Sequence, residues 1–183
     1  NVSDLDVPTD NMGLAIFGSK LADGTVEDRG SGVYHNKSTG TYTGGTISGN
    51  RTMNGNGGGI YIDQQAVILA PEGTVQINEN AAVDGAGIYI GGTTEKRASF
   101  AVNKGSNGTV QLCNNIATGN GAGVCISNGE FTLDANNIAL QNNEAENGGA
   151  VAVLSGNFTM SAGTIGGHGF SNEAQNGGAV YVN

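Results

Sequence analysis

Few side chains in this 183-residue chain can do chemistry, and their spacing decides whether they act together. The sixteen acidic residues are set against seven basic ones and only two histidines, His35 and His168. Glycoside hydrolysis needs two carboxyl groups about 5–9.5 Å apart across the bond to be cut. Outward carboxylates such as Asp63, Glu72, Asp84, Glu130 and Asp134 do not fall at matching positions in successive segments. No Ser/His/Asp set can be assembled from the two histidines, and no His/Cys/Asp cluster has metal-ligand spacing. The sequence therefore implies no catalytic set, no cofactor and no metal. Two groups of residues remain as candidates for partner binding. Tyr34, Tyr61 and Tyr89 each sit second after a small-residue triplet and its first β-branched residue, in three successive copies. Glu95, Lys96 and Arg97, with Lys104 nearby, put three of the seven basic residues within nine positions.

Those residues are positioned by a repeat. Six triplets run into apolar strands, from Gly57-Gly58-Gly59-Ile60-Tyr61-Ile62 through Gly121-Ala122-Gly123-Val124-Cys125-Ile126 to Gly177-Gly178-Ala179-Val180-Tyr181-Val182. The first β-branched residues fall at 33, 60, 88, 124, 151 and 180, so the steps are 27, 28, 36, 27 and 29 residues. A period of this length marks a solenoid whose units bury their apolar faces only by stacking. Each period carries three short strand-like pieces: the Ile60-Tyr61-Ile62 type, a Phe131-Thr132-Leu133 type that reads less clearly as Ile68-Leu69-Ala70, and a Val75-Gln76-Ile77 type. With Gly and Asn corners and no helical segment, this predicts an all-β, right-handed parallel β-helix of about six rungs.

The two-residue strand period sets the expected register. Val33, Ile60, Ile62, Val75, Ile77, Ile88, Ile90, Val110, Leu112, Val124, Ile126, Ile138, Leu140, Val151, Val153 and Val180 point inward, and the tyrosines outward in a row spaced about 4.8 Å. After the third strand an Asn recurs at 50, 80, 115 and 143, with a shifted copy at 172, and reads as a structural ladder at a corner that tolerates left-handed backbone. The 36-residue step places an insertion over 91–99, a loop on a rigid scaffold where recognition residues usually sit. Residues 1–23 read as an N-terminal extension and cap and 24–183 as repeats, the last rung incomplete, as in a segment of a longer precursor. Cys113 and Cys125 occupy strand positions of different repeats, which favours two free thiols over a bridge.

A net charge of −9 repels nucleic acid and anionic membranes over most of the surface. No apolar run approaches the roughly 18 residues of a membrane span, so direct membrane insertion of this segment is not expected. The pairing of [Ile/Leu]-x-x-Asn-x-[Ala/Thr] with Gly-[Gly/Ala]-[Gly/Ala]-[Ile/Val] resembles the GGA-[I/L/V] and FxxN repeats of the chlamydial polymorphic outer membrane proteins and related Gly/Asn-rich bacterial surface repeats. Gly148-Gly149-Ala150-Val151 and Gly177-Gly178-Ala179-Val180 match the first motif literally, whereas Ile or Leu stands where that family has Phe in the second. The resemblance covers about residues 24–182. It implies a non-enzymatic adhesin or stalk on the bacterial surface or secreted, with a host or matrix glycan or protein as partner. The alternative is a carbohydrate-active β-helix. Gly167-His168-Gly169 matches one motif of polygalacturonases, but the companion Asn-Thr-Asp, Asp-pair and Arg-Ile-Lys motifs are absent.

Overall fold

The computed structural model describes residues 15–17, 29–102 and 107–183. β-Branched and aromatic residues alternating between glycine corners give a strand period rather than a helical one, and every regular element among the described residues is a strand. The chain coils through about five turns as a parallel solenoid. Six triplets delimit five complete turns, which accounts for the difference from the expected six rungs.

The turns build four sheets, each strand paired in parallel with its counterpart on the neighbouring turns, and all but the first turn contribute a strand to the shortest of them. The tyrosine sheet holds Val33–Asn36, Ile60–Asp63, Ile88–Gly91, Val124–Ile126, Val151–Val153 and Val180–Val182. Next along the coil, the phenylalanine sheet holds Gly40–Tyr42, Ala66–Leu69, Ala98–Val102, Gly129–Leu133 and Gly156–Met160. The glutamine sheet follows with Ala15–Phe17, Gly45–Ser48, Thr74–Asn78, Thr109–Cys113, Ile138–Gln141 and Thr164–Ile165. The fourth, short sheet was not expected. It comprises Ala81–Ala82, Ile116–Ala117, Glu144–Asn147 and Glu173–Asn176, at the corner after the ladder asparagines. Ala82, Ala86, Ala117, Ala122 and Ala145 form a small buried cluster of their own beside it.

Register follows the two-residue period. Ile60 stands beside Ile88, Ile88 beside Val124 and Val124 beside Val151. The whole expected inward set belongs to one continuous core, with Val33 and Val180 only partly buried on the outermost turns. Phe100, Phe131 and Phe158 stack inside it with ring centroids 5.1 Å apart at each step. One strand differs by a residue from the sequence reading. Phe100 pairs with Val67, so Val67 and Leu69 face inward and Ile68 outward.

The corners explain the remaining sequence pattern. Asn50, Asn80, Asn115 and Asn143 are buried, and each donates through both its backbone N–H and its Nδ2 to the Oδ1 of the next, ending at Asn172. The left-handed residue is the one before the ladder Asn: Gly49, Glu79, Asn114 and Asn142 have φ of 65°, 58°, 56° and 54°. The ladder asparagine itself does not use the left-handed backbone it was expected to tolerate, while its amide makes the expected hydrogen bond to the equivalent Asn one turn away. The first glycine of the triplet also needs it, with φ of 59° at Gly85, where an added Cβ would meet Ile88 O at 2.5 Å.

At the N-terminal end, Ala15–Phe17 adds a strand beside Gly45–Ser48 and Ile16 packs on the core. The rest of the expected cap, including Met12, Leu14 and Leu21, lies outside the described residues. His35 takes the inward place of Ile62, and Tyr42 that of Leu69, on the neighbouring turn. The aliphatic columns thus end in a polar pair joined by a 2.8 Å hydrogen bond between His35 Nε2 and Tyr42 Oη.

Candidate functional site

The outward column of the tyrosine sheet runs Tyr34, Tyr61, Tyr89, Cys125, Ala152 and Tyr181 in register. The tyrosines face away from the core as expected, but they do not form an exposed row. Tyr34 is 38% exposed, whereas Tyr61 and Tyr89 are 6% and 8% exposed. Their rings pack on one another and on neighbours. Tyr34 meets Tyr61 edge-on at 5.4 Å, and Tyr61 meets Tyr89 at 4.8 Å. The Arg29 guanidinium lies 5.6 Å from the Tyr61 ring centroid. Cys125 extends the cluster, with Leu154 packed against it. Sequence alternation specifies which face a side chain takes, and it carries no information on what lies over that face.

The insertion leaves the sheet beside these rings. A Cβ added at Gly91 would lie 2.9 Å from both Tyr61 Oη and Tyr89 Cε1, so the two rings reach across this glycine. Residues 93–97 are all exposed, which places Glu95, Lys96 and Arg97 in solvent. A tight turn holds them: Thr93 N–H donates to Lys96 O at 2.9 Å, and Lys96 N–H donates to Thr93 Oγ1 at 3.1 Å. Asp63, paired with Gly91, accepts from Tyr34 Oη at 3.4 Å. Tyr34, Asp63 and the base of the insertion thus follow one another on three successive turns, with Tyr34 partly exposed and Asp63 and Gly91 buried. Lys104 lies outside the described residues.

One arrangement escaped the sequence reading. Glu144 and Glu173 are in register on adjacent strands of the short sheet, and with Asn142, Asn143, Gly169 and Ser171 they line a shallow depression of about 380 Å³. Its signal was present as Asn143-Glu144-Ala145 and Asn172-Glu173-Ala174, two copies of the ladder motif with an acidic residue in the middle. No Lys, Arg or His lines this depression among the described residues. No group of three His, Cys, Asp or Glu side chains there is placed to hold a metal ion.

The other reactive groups lie apart. Burial lowers the His35 pKa and raises that of Tyr42 to about 12, which keeps both neutral near neutral pH. Ser38 Oγ lies 3.3 Å from His35 Nδ1, exposed and three residues away in the chain. Cys113 and Cys125 are both free thiols. Burial raises both their pKa values, and the charge of Asp84 adds to the effect at Cys125. No protein-family model, curated protein or solved structure matches the chain.

Proposed function

We propose that this chain is a non-enzymatic adhesin or stalk module of a bacterial cell-surface or secreted protein, binding a host or matrix glycan or protein through the exposed insertion and the partly exposed Tyr34. The observation that carries this reading is the solvent-exposed turn 93–97, which carries Lys96 and Arg97 out from an otherwise repetitive acidic solenoid. Such a scaffold holds a recognition loop at little entropic cost, because the strands on both sides are fixed by pairing to neighbouring turns. The repeat type, similar to that of the chlamydial polymorphic outer membrane proteins, supports the same class of role.

The test compares the parent with three variants on immobilised glycans and matrix proteins: a chain with 92–97 shortened to the two-residue connection found at Gln64 and Gln65, a Lys96→Glu/Arg97→Glu chain, and Tyr34→Ser. Each should retain parent-like circular dichroism and lose binding. Tyr61 and Tyr89 are unsuitable targets, because their substitution would disturb packing. Parent-level binding by all three variants would make the domain a spacer.

A second reading rests on Glu144 and Glu173. Parallel neighbours lie about 4.8 Å apart along the axis, near the roughly 5–5.5 Å carboxyl separation of retaining glycosidases. The absence of a basic side chain from the depression counts against a lyase. Reducing-end release from polysaccharides, abolished in Glu144→Gln and Glu173→Gln, would favour this alternative over the adhesin.

A further inference from the structure

We infer that the chain pairs with a second copy of itself through the outer face of the short sheet, the two solenoids running antiparallel about a two-fold axis. The basis is the order of side chains along one outward column. Arg51 stands beside Ala81, Ala81 beside Ile116, Ile116 beside Glu144 and Glu144 beside Glu173. The residues that follow the first four, Thr52, Ala82, Ala117 and Ala145, are buried, so this column faces solvent. Arg51, Glu144 and Glu173 are exposed, and Ile116 is 51% exposed although it lies in a paired strand. A cation therefore sits two turns to one side of an exposed aliphatic side chain, and a carboxylate two turns to the other.

Such a column is complementary to itself only when reversed. A two-fold axis between the facing sheets, along the strand direction and level with Ile116, sets Ile116 against its own equivalent. The same axis brings Arg51 to Glu173 and Ala81 to Glu144. With rows about 4.8 Å apart, the two Arg–Glu pairs lie about 19 Å from each other at the ends of the contact, and the apolar pair lies between them. An apolar centre with a charged rim is the usual anatomy of an interface. The flanking positions follow the same polarity. Met53, 53% exposed and 3.1 Å from Arg51 Nε, adds apolar surface on the basic side, and Glu146, exposed on the strand of Glu144, adds charge on the acidic side. Glu79, exposed two positions before Ala81, comes opposite Asn142 instead of a carboxylate.

Charge selects the reversed arrangement over others. Each copy carries a net charge of −9, so two copies repel along most approaches. Parallel copies in register would set Arg51 on Arg51 and each glutamate on its equivalent, which like-charge repulsion opposes. In the reversed contact the partner's Arg51 comes over the depression beside Glu144 and Glu173, which has no basic lining residue of its own among the described residues. Five short strands make a contact smaller than the about 800 Å² per partner of stable complexes, so the dimer is weak and depends on concentration. The contact uses no residue of the insertion, so it stands or falls independently of the adhesin reading.

Sedimentation of the intact 183-residue chain, from about 10 μM to about 1 mM, should show a reversible monomer–dimer equilibrium. Arg51→Glu and Glu173→Arg, both at exposed positions, should keep parent-like circular dichroism and each weaken self-association at least about tenfold. Mixed in equal amounts, these two variants should associate with each other as the parent does with itself. The double reversal Arg51→Glu/Glu173→Arg should regain self-association, which a parallel contact would not allow. Orientation is read by mild oxidation in a Cys113→Ser background: Ile116→Cys should link to itself, and Arg51→Cys should link to Glu173→Cys but not to itself. A parent that stays monomeric at about 1 mM would overturn the inference. So would single reversals that associate like the parent, a double reversal that stays monomeric, or Arg51→Cys linking to itself.

Discussion

Replacing Asn115 by Ala tests whether the buried ladder or the aliphatic core sets the stability of the middle turns. Asn115 is 0% exposed, and its side chain takes part in four hydrogen bonds. Its Oδ1 accepts from Asn80 N–H and Asn80 Nδ2, both at 3.1 Å, and its Nδ2 donates to Ile77 O at 2.9 Å and Asn143 Oδ1 at 3.0 Å. Alanine orphans the buried Asn80 N–H, a cost of about 1–3 kcal/mol, while the other three bonds are lost at about 1 kcal/mol each. Asn80 Nδ2 keeps its bond to Ile47 O, and Asn143 Oδ1 keeps the one from Asn115 N–H, which limits the damage. With a discount for non-additivity the total is about 4 kcal/mol. At an m value of about 2 kcal/mol per molar urea, the unfolding midpoint should fall by about 2 M. Asn172→Ala is the control. Asn172 accepts the same two donors from Asn143 but is partly exposed, so water can replace it at a cost of about 1 kcal/mol. Equal shifts for the two variants in urea melts followed by circular dichroism, or a loss below about 1 kcal/mol for Asn115→Ala, would refute the account.

Three further outcomes follow from the packing and the titrating groups. Phe131→Ala, between two stacked phenylalanines, should cost about 3–5 kcal/mol, and Phe158→Ala distinctly less because Phe158 is only partly buried; a thermal melt ranking them the other way would contradict the stack. Because burial lowers the His35 pKa below the usual 6.5, its contribution to stability is intact above that value and is lost as pH falls from there through the folded-state value. His35→Gln should remove that part of the acid sensitivity, measured as urea midpoints across the range. Iodoacetamide should label partly exposed Cys113 well before Cys125, and both slowly, since raised pKa values leave little thiolate; mass spectrometry of the alkylated chain reads the order.

What the sequence could disclose was whatever is carried by period. Alternation in Ile60-Tyr61-Ile62 and its copies determines which side chains face the core, because each strand repeats the choice and neighbouring turns reinforce it. The recurring Asn was legible for the same reason. Features that depend on what lies opposite a residue were not. Tyr61 and Tyr89 face outward yet are covered, and nothing in their own spacing announces Arg29 or the approach of their rings to Gly91. The register around Ile68 is not legible because its neighbours Val67 and Leu69 are also aliphatic, which leaves alternation without contrast. Glu144 and Glu173 each read as a solvated corner residue until the turns are laid in register.

The two asparagine series bear on the electrostatics of the molecule. Along the buried ladder each side-chain amide donates to the next Asn toward the C-terminal end, from Asn50 through Asn80, Asn115 and Asn143 to Asn172, and its other N–H goes back to a backbone carbonyl of the preceding turn. Along the outer corner the direction is reversed: Asn176 donates to Asn147, Asn147 to Asn120 and Asn120 to Asp84. The side chain to side chain bonds of the two columns therefore run in opposite senses along the axis. The outer column terminates on the Asp84 carboxylate, which accepts both the backbone N–H and the Nδ2 of Asn120 at 2.7 and 2.9 Å. A negative charge there faces the positive ends of the whole aligned series. Asp84 thus acts as a counter-ion for a row of neutral side chains, a role that an asparagine at the same position would pass on to Asn56 instead of fulfilling.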